Sequence, residues 1–245
     1  MLKGFRIHMN KQVEILNVPF IHTTHKEFLN EITSPHNHPI HVVTANPEIV
    51  MYAKEHPEYM RTIKQSDYII ADGIGIIIAS KMINKPLPER IPGFELMDDL
   101  LNYSNEHKKR IYLLGAKEHV VRNAQQQIKE KYPNLTIAGY HHGYIDTDNL
   151  EVVEEIRQSE ADFIFVALGY PKQEEWITRH KAKLNKGVLM GVGGSFDIWA
   201  GEAKRAPKIW LKLNLEWLYR LLTNPTRLKR MLKLPQFLIH VLRGK

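Results

Sequence analysis

The sequence predicts an α/β fold: a largely parallel sheet with helices on both faces, followed by a basic amphipathic helical appendage. Three observations carry this. Short β-branched or apolar runs alternate with helical segments from His41 to Gly194. Glycine and small polar residues recur where each run ends. Charge is split unevenly: residues 201–245 hold eleven of the 34 Lys+Arg and only two of the 27 Asp+Glu, so the basic balance belongs to the tail.

The elements follow in chain order. Val13–Leu16 and Val18–Ile21 read as strand, turn, strand. Thr23 or Thr24 can cap a helix running to Glu31, and Ser34–Pro39 is a polar loop with His36 and His38. His41–Val43 is a short strand, and Asn46-Pro47 opens a helix from Glu48 to Glu55, with proline in its favoured first turn. Tyr68–Ala71 is a buried strand that ends in Asp72-Gly73 before another helix. Asp98-Asp99 falls within a helical stretch, where one of the pair is expected to face solvent. Ile111–Leu114 runs into Gly115-Ala116 and a helix to Lys131; Leu135–Gly139 is a strand, and 141–148 a loop. Phe163–Leu168 leads through Gly169-Tyr170-Pro171 into a helix, where Glu174 and Glu175 suit a polar first turn. Val188–Gly191 leads into Val192-Gly193-Gly194-Ser195. In the tail, Ile209, Trp210, Leu213, Trp217 and Leu221 form an apolar stripe, and basic residues interleave with Leu228, Met231, Leu232 and Leu234 beyond Asn224-Pro225. A basic, aromatic-bearing amphipathic stretch is the composition of an interfacial membrane binder. These shifts divide the chain into an α/β domain, 1–200, and a membrane-binding appendage, 201–245.

Composition excludes several function classes. Apolar residues at 43% and charged residues at 25% describe a globular chain rather than a disordered, collagenous or coiled-coil one. With no cysteine, there is no disulfide scaffold, thiolate zinc site, iron–sulfur cluster or cysteine nucleophile. No stretch is long and apolar enough to span a bilayer, and the first ten residues lack the apolar core of a signal peptide, so the expected location is the cytoplasm. Met9 is an alternative start.

In a parallel sheet, ligands sit beyond the carboxyl ends of the strands. The candidate residues gather there. Asp72 can serve as a general base on a hydroxyl; an Asp-Gly turn is the simpler account. Asn46 can be a helix cap, which leaves Thr44 unexplained. Gly191, Gly193 and Gly194, like Gly115, can bring backbone close to a phosphate, but they match neither GxGxxG nor the P-loop. Gln173 can hydrogen-bond a sugar or a base. Arg90, in a proline-rich loop, can reach a phosphate. Asp146-Thr147-Asp148 is a literal DxD, better explained as a helix start than as a metal site. His36/His38 and His141/His142 lack a third ligand for zinc. No metal and no cofactor is expected.

The blocks VTANPEIV (43–50), ADGIGI (71–76), RIPGFELMDDL (90–100), YLLGAKE (112–118), FVALGYPKQEEW (165–176), GVGGSFDIWAGEAKRAP (191–207) and LEWLYRL (215–221) together resemble the WecG/TagA/CpsF family of glycosyltransferases. The resemblance implies a compact Rossmann-like domain with a carboxy-terminal appendage that reaches the membrane. It implies transfer of N-acetylmannosamine from UDP to the 4-hydroxyl of N-acetylglucosamine on undecaprenyl diphosphate, with inversion to a β linkage, in teichoic acid synthesis. It implies Asp72 as the base; Thr44, Asn46, Arg90 and Gln173 as pocket residues; and Arg220, Arg227 and Arg230 as contacts to the lipid diphosphate. UDP-N-acetylmannosamine is then a substrate rather than a cofactor, and the partners are the lipid acceptor and the anionic inner face of the cell membrane. A related donor such as the uronic acid, and a non-catalytic sugar-nucleotide-binding protein, are the alternatives. A nucleotide-dependent oxidoreductase lacks its fingerprint here, and no nucleic-acid module is legible. A homo-oligomer that hides the apolar tail is a further expectation.

Overall fold

The computed structural model describes residues 11–146, 150–213, 215–223 and 232–244. Two strands, β1 (Gln12–Ile15) and β2 (Val18–Ile21), form an antiparallel hairpin. Leu16 and Asn17 both adopt positive φ at its turn, which matches the twist of the paired strands. Helix α1 (His25–Thr33) begins at Thr24, whose hydroxyl accepts the Glu27 N–H while the Glu27 carboxylate accepts the Thr24 N–H. Of the two threonines, the capping residue is thus the second.

The main sheet has six parallel strands: β3 (Ile40–Ala45), β4 (Tyr68–Ala71), β5 (Arg110–Gly115), β6 (Thr136–His141), β7 (Phe163–Ala167) and β8 (Val188–Gly191). Their spatial order is β4-β3-β8-β7-β5-β6. Between them run α2 (Pro47–Glu55), α3 (Pro57–Lys64), α4 (Ile74–Met82), α5 (Gly93–Glu106), α6 (Glu118–Lys131), α7 (Leu150–Ser159) and α8 (Lys172–His180). After β8 come α9 (Ser195–Trp199), α10 (Lys208–Lys212), α11 (Glu216–Thr223) and α12 (Lys233–Leu242). Strand β6 starts and ends later than its sequence pattern suggests, so His141 belongs to the strand and not to the following loop.

Both faces of the sheet are covered, as uninterrupted apolar strands require. Alternate residues of β3 and β4 divide between the two sides. Val42 and Ile70 join a core with α1, α5, α6 and α9, while Val43 and Ile69 join one with the hairpin, α2, α3 and α4. A third core, around Trp176 and Ile177, binds α7 and α8 to β7. Phe237 and Val241 of α12 are buried in the second core, so the last helix is packed onto the α/β body. Asp98 accepts from Lys131 and Tyr132, and Asp99 meets His25 at 2.6 Å. Both carboxylates thus make tertiary contacts, and the Asp99 side chain, 48% exposed, still faces solvent as expected for one of the pair.

At the amino-terminal edge, Asp67 accepts the His41 N–H and the Lys181 ammonium, each at 2.7 Å. The His41 ring is wholly buried, and neither of its nitrogens has a partner among the described residues.

Candidate active site

The adjoining strands β5 and β7 send their chains in opposite directions, β5 outward to β6 and β7 inward to β8. A sheet opens a crevice at such a point, beyond the strands' carboxyl ends. The glycine turns flank this crevice. A side chain at Gly115 would place its Cβ 2.4 Å from the Ala167 carbonyl oxygen, so only glycine lets β5 turn so close to β7. The Ala116 N–H then donates to that same carbonyl at 3.0 Å.

The β3–β4 side of the edge holds the proposed base. Asn46 caps α2 by accepting the Ile49 N–H at 3.0 Å, and Pro47 follows at the first helical position. The Asp72 N–H donates to the Ala45 carbonyl at 3.0 Å, so Asp72 and Asn46 leave neighbouring strands side by side. Gly73 has φ +110°, and a Cβ there would stand 3.6 Å from Asn46 Cβ and from Pro47 Cδ. One step on, the Ile91 N–H donates to the Ala71 carbonyl at 2.8 Å, which brings the loop bearing Arg90 over the end of β4. The Thr44 hydroxyl donates to the Gly191 carbonyl at 3.0 Å and lies against Gly93. Thr44 thus ties β3 to β8 and to the start of α5.

The β7–β8 side is held by Gln173. Its side-chain Oε1 accepts the N–H groups of Gly169 and Gly193, both at 3.2 Å. Its Nε2 donates to Glu174 Oε1 at 2.7 Å. The Gln173 amide, expected from sequence to face a ligand, is therefore buried and spans two turns. The Gly193 N–H is engaged by it, which removes one donor from those the glycine turns offer a phosphate. Helix α9 has only five residues, too short to bring much dipole potential to Gly194. Among the described residues, no three His, Asp or Glu side chains are grouped as metal ligands.

Glu174 escaped the sequence reading. A polar first turn hid a residue that is 1% exposed, and burial pushes its carboxyl up to about 7. Its neighbour at sequence position +1, Glu175, stays exposed, as the dipole argument expects. The same blind spot covers Tyr170, whose hydroxyl donates to Glu48 at 2.6 Å and closes the β7 turn onto α2.

The carboxy-terminal segment lies over this edge. Arg90 Nη1 stands 3.8 Å from the Glu216 carboxylate of α11. Arg205 pairs with Glu95 and lies over the Phe94 ring, 4.3 Å from its centre. Leu234 of α12 rests where a side chain at Gly75 would place its Cβ, 2.6 Å away, with Pro47 Cγ at the same distance. Lys233 pairs with Glu55 at 2.6 Å. Arg220 belongs to α11 but its side chain is not among the described atoms; Arg227 and Arg230 lie outside the described residues, as do Asp148, Leu228, Met231 and the segment with Met9.

Every block that carries the resemblance thus contributes to this edge or to the segment over it. Residues 13–245 match the family model described as the glycosyl transferase WecG/TagA/CpsF family. The N-acetylglucosaminyldiphosphoundecaprenol N-acetyl-beta-D-mannosaminyltransferase of Staphylococcus aureus strain NCTC 8325 / PS 47 is 43% identical over 238 residues, which is 96% of this chain and 93% of the relative. Its counterpart in strain MRSA252 is 42% identical over the same span. A match over almost the full length, with the motif residues assembled at one sheet edge, leaves a single assignment: the chain belongs to the WecG/TagA/CpsF family of glycosyl transferases.

Proposed function

We propose that this chain transfers N-acetylmannosamine from UDP to the 4-hydroxyl of N-acetylglucosamine on undecaprenyl diphosphate, with inversion, at the inner face of the cell membrane. The relatives named above are, by name, N-acetyl-beta-D-mannosaminyltransferases acting on N-acetylglucosaminyldiphosphoundecaprenol. The observation that carries the reading is the placement of Asp72 beside Asn46 at the end of β4, beneath the loop that bears Arg90.

Inversion in a single displacement needs a base and no enzyme nucleophile. The Asp72 carboxylate takes the proton of the acceptor's 4-hydroxyl as that oxygen bonds to C1 of the sugar. The bond from C1 to the β-phosphate oxygen breaks, and UDP leaves with the electron pair. The charge gained by UDP calls for fixed cations or amides nearby. Arg90 is suited to that task, since at 3.8 Å its contact with Glu216 is longer than a hydrogen bond. Arg220, Arg227 and Arg230 are proposed to meet the diphosphate of the lipid.

The acceptor is membrane-bound, and among the described residues no helix is long and apolar enough to cross a membrane. The appendage is proposed to bring the site to the bilayer. Ile209, Leu213 and Leu222 are each more than 60% exposed, and the basic residues among them favour an anionic leaflet.

The test is UDP release by the purified chain given UDP-N-acetylmannosamine and a short-chain N-acetylglucosaminyl diphospholipid in EDTA. Release that depends on both substrates is the expected result. Release only after magnesium is restored overturns the metal-independent mechanism, release with another UDP-sugar overturns the donor, and no release with any donor overturns the transferase reading.

A further inference from the structure

Glu174 has no part in the mechanism above, yet it lies in the interior against the site. Burying a carboxyl is costly unless its oxygens are used. Its Oε1 accepts the Gln173 Nε2–H. Its Oε2 meets no donor at hydrogen-bond geometry, although the Tyr59 hydroxyl lies near enough to favour the charged carboxylate against the pull of burial. A group needed only for packing would be replaced with advantage by an apolar side chain of the same size.

The need becomes visible in the Gln173 amide. Oxygen and nitrogen of a side-chain amide exchange places by a half-turn at little steric cost, so only its partners fix which way it points. Here the oxygen faces two N–H donors, Gly169 and Gly193. Half a turn away, two N–H groups would face an NH2 and both bonds would be lost. Glu174 Oε1 is the acceptor on the far side that holds the nitrogen there. Glycine at 191 admits the arrangement, because a Cβ would stand 2.5 Å from Gln173 Nε2. Gly169 and Gly193, at φ +74° and +50°, have open space where a Cβ would be, so their outer sides look out from the sheet edge.

We infer that Glu174 is a positioning residue for the donor site: by setting the orientation of the Gln173 amide, it holds the turns after β7 and β8 at the separation that receives a nucleoside diphosphate. The ligand in this statement rests on the sugar-nucleotide reading above; the network itself does not. Glu174 is too deeply buried to touch substrate.

Two variants separate the roles. Glu174→Gln keeps an oxygen for Gln173, and Glu174→Met keeps the volume without it. Amide hydrogen exchange of Gly169 and Gly193 is followed by NMR, with Leu113 of β5 as internal reference, and UDP affinity by calorimetry. In Glu174→Met both glycines are expected to exchange about tenfold faster with Leu113 unchanged, and UDP affinity to fall about tenfold. Glu174→Gln is expected to restore both to within about twofold of the parent. Should Glu174→Met fail to fold, Gly191→Ala displaces the same amide from the other side and is expected to loosen the same two glycines. Glycines as protected as in the parent, in whichever of these variants folds, overturn the network. Loosened glycines with parental UDP affinity overturn its link to the donor site. Failure of the parent chain itself to bind UDP overturns the sugar-nucleotide reading and the donor-site role, while the exchange result still judges the network.

Discussion

Helix α8 joins two polar clusters at opposite edges of one sheet, one buried and one half-buried, and they differ in what they hold. Its first turn supplies Gln173 and Glu174, which grip two glycine turns at the carboxyl edge. Just past its last turn, Lys181 meets Asp67, which also anchors the His41 backbone at the amino edge. The amino-edge cluster closes on itself through an ion pair and ties strand to helix. The carboxyl-edge cluster is neutral in its contacts and is aimed at backbone whose outer side is open. Burial moves both titratable groups toward their neutral forms. His41 is pushed down to about 3, chiefly by burial and further by Lys181, against the pull of Asp67; burial pushes Glu174 up to about 7. The same physical cost is thus met for stability at one edge and for the shape of a site at the other.

The sharpest break between the edges is in catalysis. Asp72→Asn should lower kcat for UDP release by about 10²–10⁴-fold with UDP affinity changed little, as removal of a general base does. A kcat within threefold of the parent, measured on lipid acceptor, would remove Asp72 from the mechanism. At the other edge, Asp67→Ala should cost about 3 kcal/mol in urea-induced unfolding, because it strands a half-buried ammonium and the His41 N–H. Its kcat/KM should stay at the parental value where the protein is folded. A large loss of activity there would erase the distinction between the edges.

Stability against pH tests both groups together. The folded His41 stays neutral down to about 3 while the unfolded one takes its proton near 6.5, so its contribution is complete above 6.5 and is lost as pH falls toward 3. Glu174 keeps its proton up to about 7 when folded and loses it near 4.5 when unfolded, so its contribution is complete below 4.5 and is lost as pH rises toward 7. Between 4.5 and 6.5 the two slopes oppose each other. Glu174→Gln removes one of them, so the variant's stability relative to the parent should rise with pH by about 1.4 kcal/mol per unit across that window. Parallel curves for variant and parent would show that Glu174 is ionised in the folded chain. The smallest effect is expected at the tie between the β3 and β8 ends: Thr44→Val should cost about 1 kcal/mol, the worth of its bond to the Gly191 carbonyl. No loss of stability in that variant would mean that the tie is not a support of the site.

Local chemistry was legible where the chain's own neighbours decide the outcome. Thr24 and Asn46 cap helices because a short side chain reaches the third N–H along, a relation contained within four residues. The strand at 68–71 was readable from its apolar run, and the gathering of polar residues at strand ends follows from parallel topology itself. What escaped depends on partners far along the chain. Glu174 and Glu175 stand next to each other in one helical turn, and nothing local says that one points under the sheet edge and the other into water. Asp98 and Asp99 similarly find Lys131 and His25, more than thirty residues away in either direction.

The amino-acid sequence by itself determined the alternation of strands and helices, the caps, the charged tail and the set of motif residues. Each of these is a property of composition, period or near neighbours. Only the tertiary structure decided which of those residues point outward. It set Gln173 inside, bridging two turns, and it placed Leu234 against Gly75 and Glu216 beside Arg90, so that a tail distinct in charge packs over the site. The reason is geometric. A helical turn presents its residues in all directions, and the direction that is buried exists only once the sheet beneath it and the segment above it have assembled.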